Sequence, residues 1–148
     1  MAIYRMLVSA ALIGVAAAPA WALEFRSIAG TAAVLYDAPS AKSRKVYVVN
    51  QGYPLEVVVM VEGWVKVRDA NGELTWVESK ALSDKRTVMV KVPVALIRQS
   101  ADDASPVVFQ AQQDVILELE SVATGGWLRV KHRDGQSGFI KVADVWGA

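Results

Sequence analysis

At 148 residues, 53% of them hydrophobic, and with 16 Lys and Arg against 15 Asp and Glu, the chain is long enough for a globular fold. Its charge is too balanced to neutralise a phosphate backbone or grip an acidic membrane surface, both of which draw on an excess of cations. With no cysteine and one histidine, it has no disulfides, thiol catalysis, thioether haem attachment or lipid-modified cysteine, and a lone imidazole does not make a zinc site.

Residues 1–22 read as an export signal. One cation in residues 1–5 precedes a run over 6–18 that is apolar but for Ser9, and Ala20-Trp21-Ala22 fits a small-x-small cleavage site. The run is shorter than the roughly 20 residues needed to span a bilayer, so cleavage after Ala22 is expected, leaving no stable membrane anchor. The remaining 126 residues then carry 15 cations and 15 anions, 7 against 7 over 23–83 and 8 against 8 over 84–148. A periplasmic or secreted destination follows.

From Glu24-Phe25-Arg26 the chain leads through Gly30 into residues 32–36, expected as the first strand. Asp37-Ala38-Pro39-Ser40 is a turn, because proline presets φ and Asp and Ser bond nearby backbone. Residues 45–49 read as a short strand and 50–54 as another turn. Residues 55–61, with Val57-Val58-Val59-Met60-Val61, are expected to be a strand buried on both faces or nearly so. Then comes the stretch that organises the rest. In Trp64-Val65-Lys66-Val67-Arg68, apolar and charged residues alternate with period two, as in a strand with one wet face. Asn71-Gly72 supplies the positive φ of a tight turn, and Leu74-Thr75-Trp76-Val77 returns. Residues 79–82 suit a single 3₁₀ turn, and 83–86 form a junction too short to be a flexible tether.

The same hairpin recurs as Trp127-Leu128-Arg129-Val130, Asp134-Gly135 and Gly138-Phe139-Ile140, each position 63 residues on. An internal repeat of this kind means two copies of one small β unit. Upstream, residues 87–92 open the second copy. Leu96-Ile97 is matched to Leu35-Tyr36 and Val107-Val108-Phe109 to Val46-Tyr47-Val48 at an offset of 61, with a loop at Thr124-Gly125-Gly126 two residues longer making up the difference. Short strands with turn signals every 8–12 residues indicate a small all-β barrel or sandwich. A unit of about 60 residues buries only about 60% of its unfolded surface, so two such units are expected to pack on each other.

The leading Leu35-Tyr36-x-x-Pro39-Ser40 turn, the Gly-containing polar turn, the long apolar strand and the W-x-x-V…G…W-V pattern resemble the bacterial SH3 (SH3b) family. The resemblance extends over nearly all of residues 23–148. The chain departs from the family pattern at Thr75, where glycine commonly precedes the tryptophan, and at Phe139. What the resemblance implies is all-β: two tandem five- to six-stranded SH3-like barrels, 23–83 and 84–148, that bind ligands rather than transform them. Such domains occur often in cell-wall enzymes or envelope proteins.

Chemistry in the sequence agrees with a non-enzyme. His132 reads as a solvated turn residue, Gly135-Gln136-Ser137-Gly138 lacks the spacing of a nucleophile elbow, Asp102-Asp103 are loop residues, and Glu118 and Glu120 share the wet face of a strand. No metal or cofactor site is expected. The aromatics are the better candidates. Trp64 shares the parity of Lys66 and Arg68 and so points away from the barrel interior, and the first unit gathers Tyr36, Tyr47, Tyr53, Trp64 and Trp76. The second offers Phe109, Trp127 and Phe139 without a tyrosine. Flat rings with polar tips suit peptide or glycan chains. Two functions remain open. One is a cell-envelope module recognising peptidoglycan or an extended peptide through these rings. The other is a protein-interaction or structural subunit of an envelope complex whose rings serve only packing.

Overall fold

The computed structural model describes residues 23–148, so the export signal lies outside the described residues. The first unit contains β1 (Phe25–Ile28), β2 (Ala32–Tyr36), β3 (Lys45–Asn50), β4 (Pro54–Val61), β5 (Trp64–Arg68), β6 (Leu74–Glu78), a 3₁₀ turn at Ser79–Ala81 and β7 (Leu82–Ser83). The second contains β8 (Thr87–Val90), β9 (Val94–Arg98), β10 (Val107–Gln112), β11 (Ile116–Val122), β12 (Trp127–Lys131), β13 (Ser137–Lys141), a 3₁₀ turn at Val142–Asp144 and β14 (Val145–Trp146). Each unit is one seven-stranded antiparallel sheet with the same order, β3-β2-β6-β5-β4-β1-β7 and β10-β9-β13-β12-β11-β8-β14. Each has its own core: Ile28, Leu35, Leu55, Val65, Val67 and Val77 in the first, Val88, Ile97, Leu117, Leu128, Val130 and Ile140 in the second.

The period-two pattern of the central hairpin is realised as written. Val65, Val67, Thr75 and Val77 are buried, while Trp64, Lys66, Arg68, Trp76 and Glu78 lie on the other face. The turn differs from a two-residue hairpin. Only Gly72 is left-handed, with φ 85°; Asn71 is not. The Gly72 N–H donates to the Asp69 carbonyl at 3.0 Å, and Asp69 Oδ1 accepts from the N–H groups of Asn71 and Glu73 at 2.8 and 3.0 Å. A buried carboxylate thus caps a four-residue turn closed by a left-handed glycine. In the second copy Gly135 holds the same position, with φ 97°, and His132 takes the place of Asp69. It is three-quarters covered, tilted against Phe109 at 6.2 Å, and its Nδ1 lies 3.3 Å from the Asp134 N–H and 3.1 Å from Asp134 Oδ2. It is a capping residue rather than a solvated one.

Three expectations need correction. Residues 25–28 form a strand ahead of 32–36. Residues 58–61 of β4 are 39–49% exposed rather than buried on both faces. β1 pairs with β4 only at Pro54, Leu55 and Glu56, and beyond a bulge between Val57 and Val59 the strand continues beside β5 alone. The third concerns the repeat. Leu35 and Ile97 are both fully buried, Tyr47 faces Leu35 as Phe109 faces Ile97, and Tyr36 pairs with Trp76 as Arg98 pairs with Phe139. The offset upstream of the hairpin is therefore 62, and the counterpart of Tyr36 is Arg98, not Ile97. The β11–β12 loop is longer by one residue, not two: Val61 pairs with Trp64, whereas the Ala123 N–H reaches the Trp127 carbonyl. A slip of one residue exchanges inner and outer faces, and burial decides between the two alignments.

The two barrels are joined along a seam. Trp146 meets Phe25 edge-on at 5.1 Å and donates its Nε1–H to the Pro54 carbonyl at 3.0 Å. Thr87 Oγ1 donates to the Gly52 carbonyl, buried Ser27 donates to the Lys85 carbonyl at 2.7 Å, and Arg86 bonds the Gly147 carbonyl while covering the Phe25 ring. Gly147 is left-handed, with φ 111°, and a Cβ there would sit 2.7 Å from the Thr87 carbonyl oxygen and 2.9 Å from Pro54 Cβ. A Cβ at Gly72 would meet nothing within 4 Å. Gly72→Ala is therefore expected to destabilise by about 1 kcal/mol through backbone conformation alone. Gly147→Ala adds a clash at the seam and is expected to lose about 2 kcal/mol or more. Urea denaturation checks both; equal effects would mean that the seam yields freely around Gly147.

Candidate functional site

The outer face of the first barrel carries the aromatics because its inner face is committed to the core. On β5 and β6 the outward pairs are Trp64 with Glu78, Lys66 with Trp76 and Arg68 with Leu74. Tyr36 enters the same face from β2 by pairing with Trp76. Its ring meets Trp64 edge-on, with centroids 5.3 Å apart and planes at 85°, an arrangement worth roughly 0.5–1.5 kcal/mol beyond area burial. Lys66 Nζ lies 6.0 Å from the centre of the Trp76 ring. Tyr36 itself is only 8% exposed, so it serves as the support against which half-covered Trp64 is held.

Trp64 forms a wall of a shallow groove of about 570 Å³, completed by Pro39, Ser40, Ala41, Gly63, Glu78 and Lys80. The 37–44 loop that makes the opposite wall is tied down by its own polar residues. Asp37 accepts from the Arg44 N–H at 3.0 Å and from its Nε at 3.2 Å, and the Ser43 hydroxyl bonds the carbonyls of Ala38 and Ser40. Glu78, paired with Lys80 at 3.1 Å, separates this groove from a smaller depression of about 200 Å³ beside Tyr36, Ala32 and Ala81. The groove is thus apolar on the Trp64 and Pro39 side and charged at its rim.

Of the five residues singled out in the sequence, Tyr36, Trp64 and Trp76 converge on this face. Tyr47 and Tyr53 do not. Tyr47 faces inward opposite Leu35, with its hydroxyl buried and unpartnered. Tyr53 packs on the first core, and its hydroxyl accepts from the Ala70 N–H at 3.3 Å, bracing the turn. Sequence reasoning missed Glu78, which the strand parity after Trp76 places on the Trp64 side, and Lys80, which the 3₁₀ turn after β6 brings beside it. Among the described residues no cluster of three or more His, Cys, Asp or Glu side chains is placed to hold a metal ion.

The second barrel presents a different face from the same positions. Arg98 replaces Tyr36 and bonds the Ser105 carbonyl at 2.8 Å. Trp127 is 8% exposed beneath Lys141, whose Nζ sits 5.7 Å from the ring centre and 2.7 Å from Asp103. Arg129 covers Phe139 at 5.6 Å. Cations lie over both rings, and no open wall like that of Trp64 is left.

The family profile described as Bacterial SH3 domain matches the chain twice, over residues 29–84 and 91–147. No curated protein matches. Among solved structures the chain is similar to NlpC2 from Trichomonas vaginalis, with 15% identity over 86% of this chain and 49% of that one at a TM-score of 0.39. It is similar also to NlpC1 from Trichomonas vaginalis, with 14% identity over 95% and 51% at 0.39. An NlpC/P60 family protein from Bacillus cereus gives 17% identity over 83% and 56% at 0.38. The chain spans about half the length of each, and the superpositions are too loose to carry any argument about function.

Burial pushes the Tyr53 phenol above its usual range, outweighing the Ala70 bond that lowers it, and the charge of Asp114 adds to the rise. The folded state therefore keeps this proton after an unfolded chain, with its tyrosines near pH 10, has lost it. The associated stability is fully present below about pH 10 and is lost as pH rises through the folded-state value. Absorbance titration of the native protein is expected to show a late phenolate component that Tyr53→Phe removes. A Tyr53→Phe difference confined to the ordinary range near pH 10 would contradict the placement.

Proposed function

The chain belongs to the bacterial SH3 domain family, in tandem, and from that premise we propose that it is a non-catalytic binding module of the cell envelope, taking peptidoglycan or an extended peptide in the Trp64 groove of its first barrel. Bacterial SH3 domains are generally cell-wall-binding modules and typically non-catalytic. The observation that carries the reading is the half-covered Trp64 ring, held edge-on by Tyr36 beside a loop already ordered by Asp37 and Ser43. A preordered groove spares a ligand the entropy of shaping it. A flat ring beside proline suits an extended chain, and Glu78 and Lys80 at the rim offer one group of each sign to its polar substituents. The short apolar run and the Ala20-Trp21-Ala22 pattern in the sequence support a location outside the cytoplasmic membrane.

A second reading, a protein-interaction subunit of an envelope complex, draws on the open edge of β4. Val58, Val59, Met60 and Val61 are exposed there, where the second copy has Glu120, Ser121, Val122 and Ala123. The fold tolerates polar residues at this edge, and the first copy does not use them. An apolar edge strand without charge or proline is a surface on which another strand adds.

Sedimentation with purified murein separates the two readings. Trp64→Ala is expected to weaken retention by about 2 kcal/mol, roughly thirtyfold, and, because it also removes the edge-on contact with Tyr36, to lower the melting temperature modestly. Trp127→Ala is expected to lower the melting temperature and leave retention intact. No retention of the unaltered protein on purified murein would favour the edge-strand reading.

A further inference from the structure

A cleft of about 690 Å³ between the two barrels exceeds the Trp64 groove in volume. Its first-barrel wall is uncharged, with Thr31, Asn50 and Gln51, and its second-barrel wall carries Asp114, Glu118, Lys131 and Arg133. Lys85 from the junction completes it. Clefts at domain interfaces are favoured places for ligands, and the repeat shows which of these charges the fold does not need.

Asp114 occupies the position of Gly52. Each donates its N–H to the equivalent carbonyl, Asp114 to Val90 and Gly52 to Ile28. Gly52 has φ 81°, and Asp114, at 70°, is the only non-glycine with positive φ among the described residues. The backbone at this turn favours glycine, and the second copy sets a carboxylate there that makes no ion pair among the described residues. Lys131 occupies the position of Arg68. In the first barrel Arg68 pairs with cross-strand Glu56 at 3.2 Å. In the second, the cross-strand partner Glu118 is engaged by Lys85 at 3.4 Å, and Lys131 makes no ion pair among the described residues. Arg133 stands where the first copy has Ala70, and it too has no carboxylate partner among them. Three differences between the copies thus place one free anion and two free cations on the same wall.

We propose that this cleft binds a zwitterionic peptide segment, its free amine on Asp114 and its free carboxylate on Lys131 and Arg133. The Asn50 and Gln51 wall faces its backbone. The cavity holds a few residues at most, and beside its charged groups it offers Ile28, Val115 and Ile116 to small apolar side chains of such a peptide. The site is separate from the Trp64 groove and does not rest on it; Trp64→Ala leaves it intact.

Amide chemical-shift titration of the full chain with trialanine tests the proposal. Saturable shifts are expected at Gly52, Asp114 and residues 131–133, with N-acetyl-trialanine and trialanine amide each binding at least tenfold more weakly. Asp114→Gly, which the backbone conformation favours, is expected to leave the melting temperature unchanged or raised and to abolish the preference for the free amine. Lys131→Ala combined with Arg133→Ala is expected to abolish the preference for the free carboxylate. No shift at these amides with millimolar trialanine, equal binding of the three peptides, or an Asp114→Gly protein that retains the preference would overturn it.

Discussion

Val65, Val67, Thr75 and Val77 are held inside the first barrel, and a strand offers no way to bury them without turning Trp64, Lys66 and Trp76 outward. The aromatic outer face follows from that alternation. Tyr36 is drawn to it by pairing with Trp76, and the 37–44 loop that follows Tyr36 becomes the far wall of the groove. Part of the core and the aromatic surface proposed to meet a ligand are two faces of the same ten residues of β5 and β6. Outer-face positions therefore vary without changing the strand order, and the second copy carries Arg98 in place of Tyr36, and Lys141 in place of Glu78, on an equivalent scaffold.

The seam adds a second level. Each barrel is small, and neither has a disulfide to reinforce it. Contacts from Trp146, Thr87, Arg86 and Ser27 bring polar groups of one barrel onto backbone carbonyls across or beside the junction, where an unpaired partner would be costly. These directional bonds fix the orientation of the barrels more than apolar contact alone would, and they create the cleft whose walls come from both units. The second copy carries charges at this cleft that the first copy lacks in the corresponding turn, so the repeat has diverged where the two units meet as well as on the aromatic face.

The hairpin, its duplication and the all-β fold were legible because period-two alternation and the Gly72 and Gly135 turns are local signals. The bacterial SH3 pattern was legible from the Trp and Gly spacing. Other features depended on pairing, which the linear chain does not display. The run at residues 57–61 has the composition of a buried strand, yet β1 stops short of it and leaves it at an edge. The alignment of the two copies by residue class placed Ile97 opposite Tyr36, since both follow a leucine; inner-face burial places Arg98 there instead. Tyr47 and Tyr53 looked like Tyr36 in the sequence, and only the parity of β3 and the Ala70 bond assign them to the interior and to the turn. Glu78 was accessible from strand parity after Trp76, whereas Lys80 sits in the 3₁₀ turn beyond the strand, and neither carries a motif that singles it out.

The four tryptophans among the described residues sit at the sites that matter: Trp64 and Trp76 on the first barrel's outer face, Trp127 beneath Lys141 on the second, and Trp146 in the seam. Their indole N–H resonances report each location in a single spectrum. On addition of soluble murein fragments the account predicts shifts of the Trp64 and Trp76 signals, with those of Trp127 and Trp146 unmoved. Shifts confined to Trp127 or Trp146, or no shift at all while the fragments are retained by the protein, would contradict it.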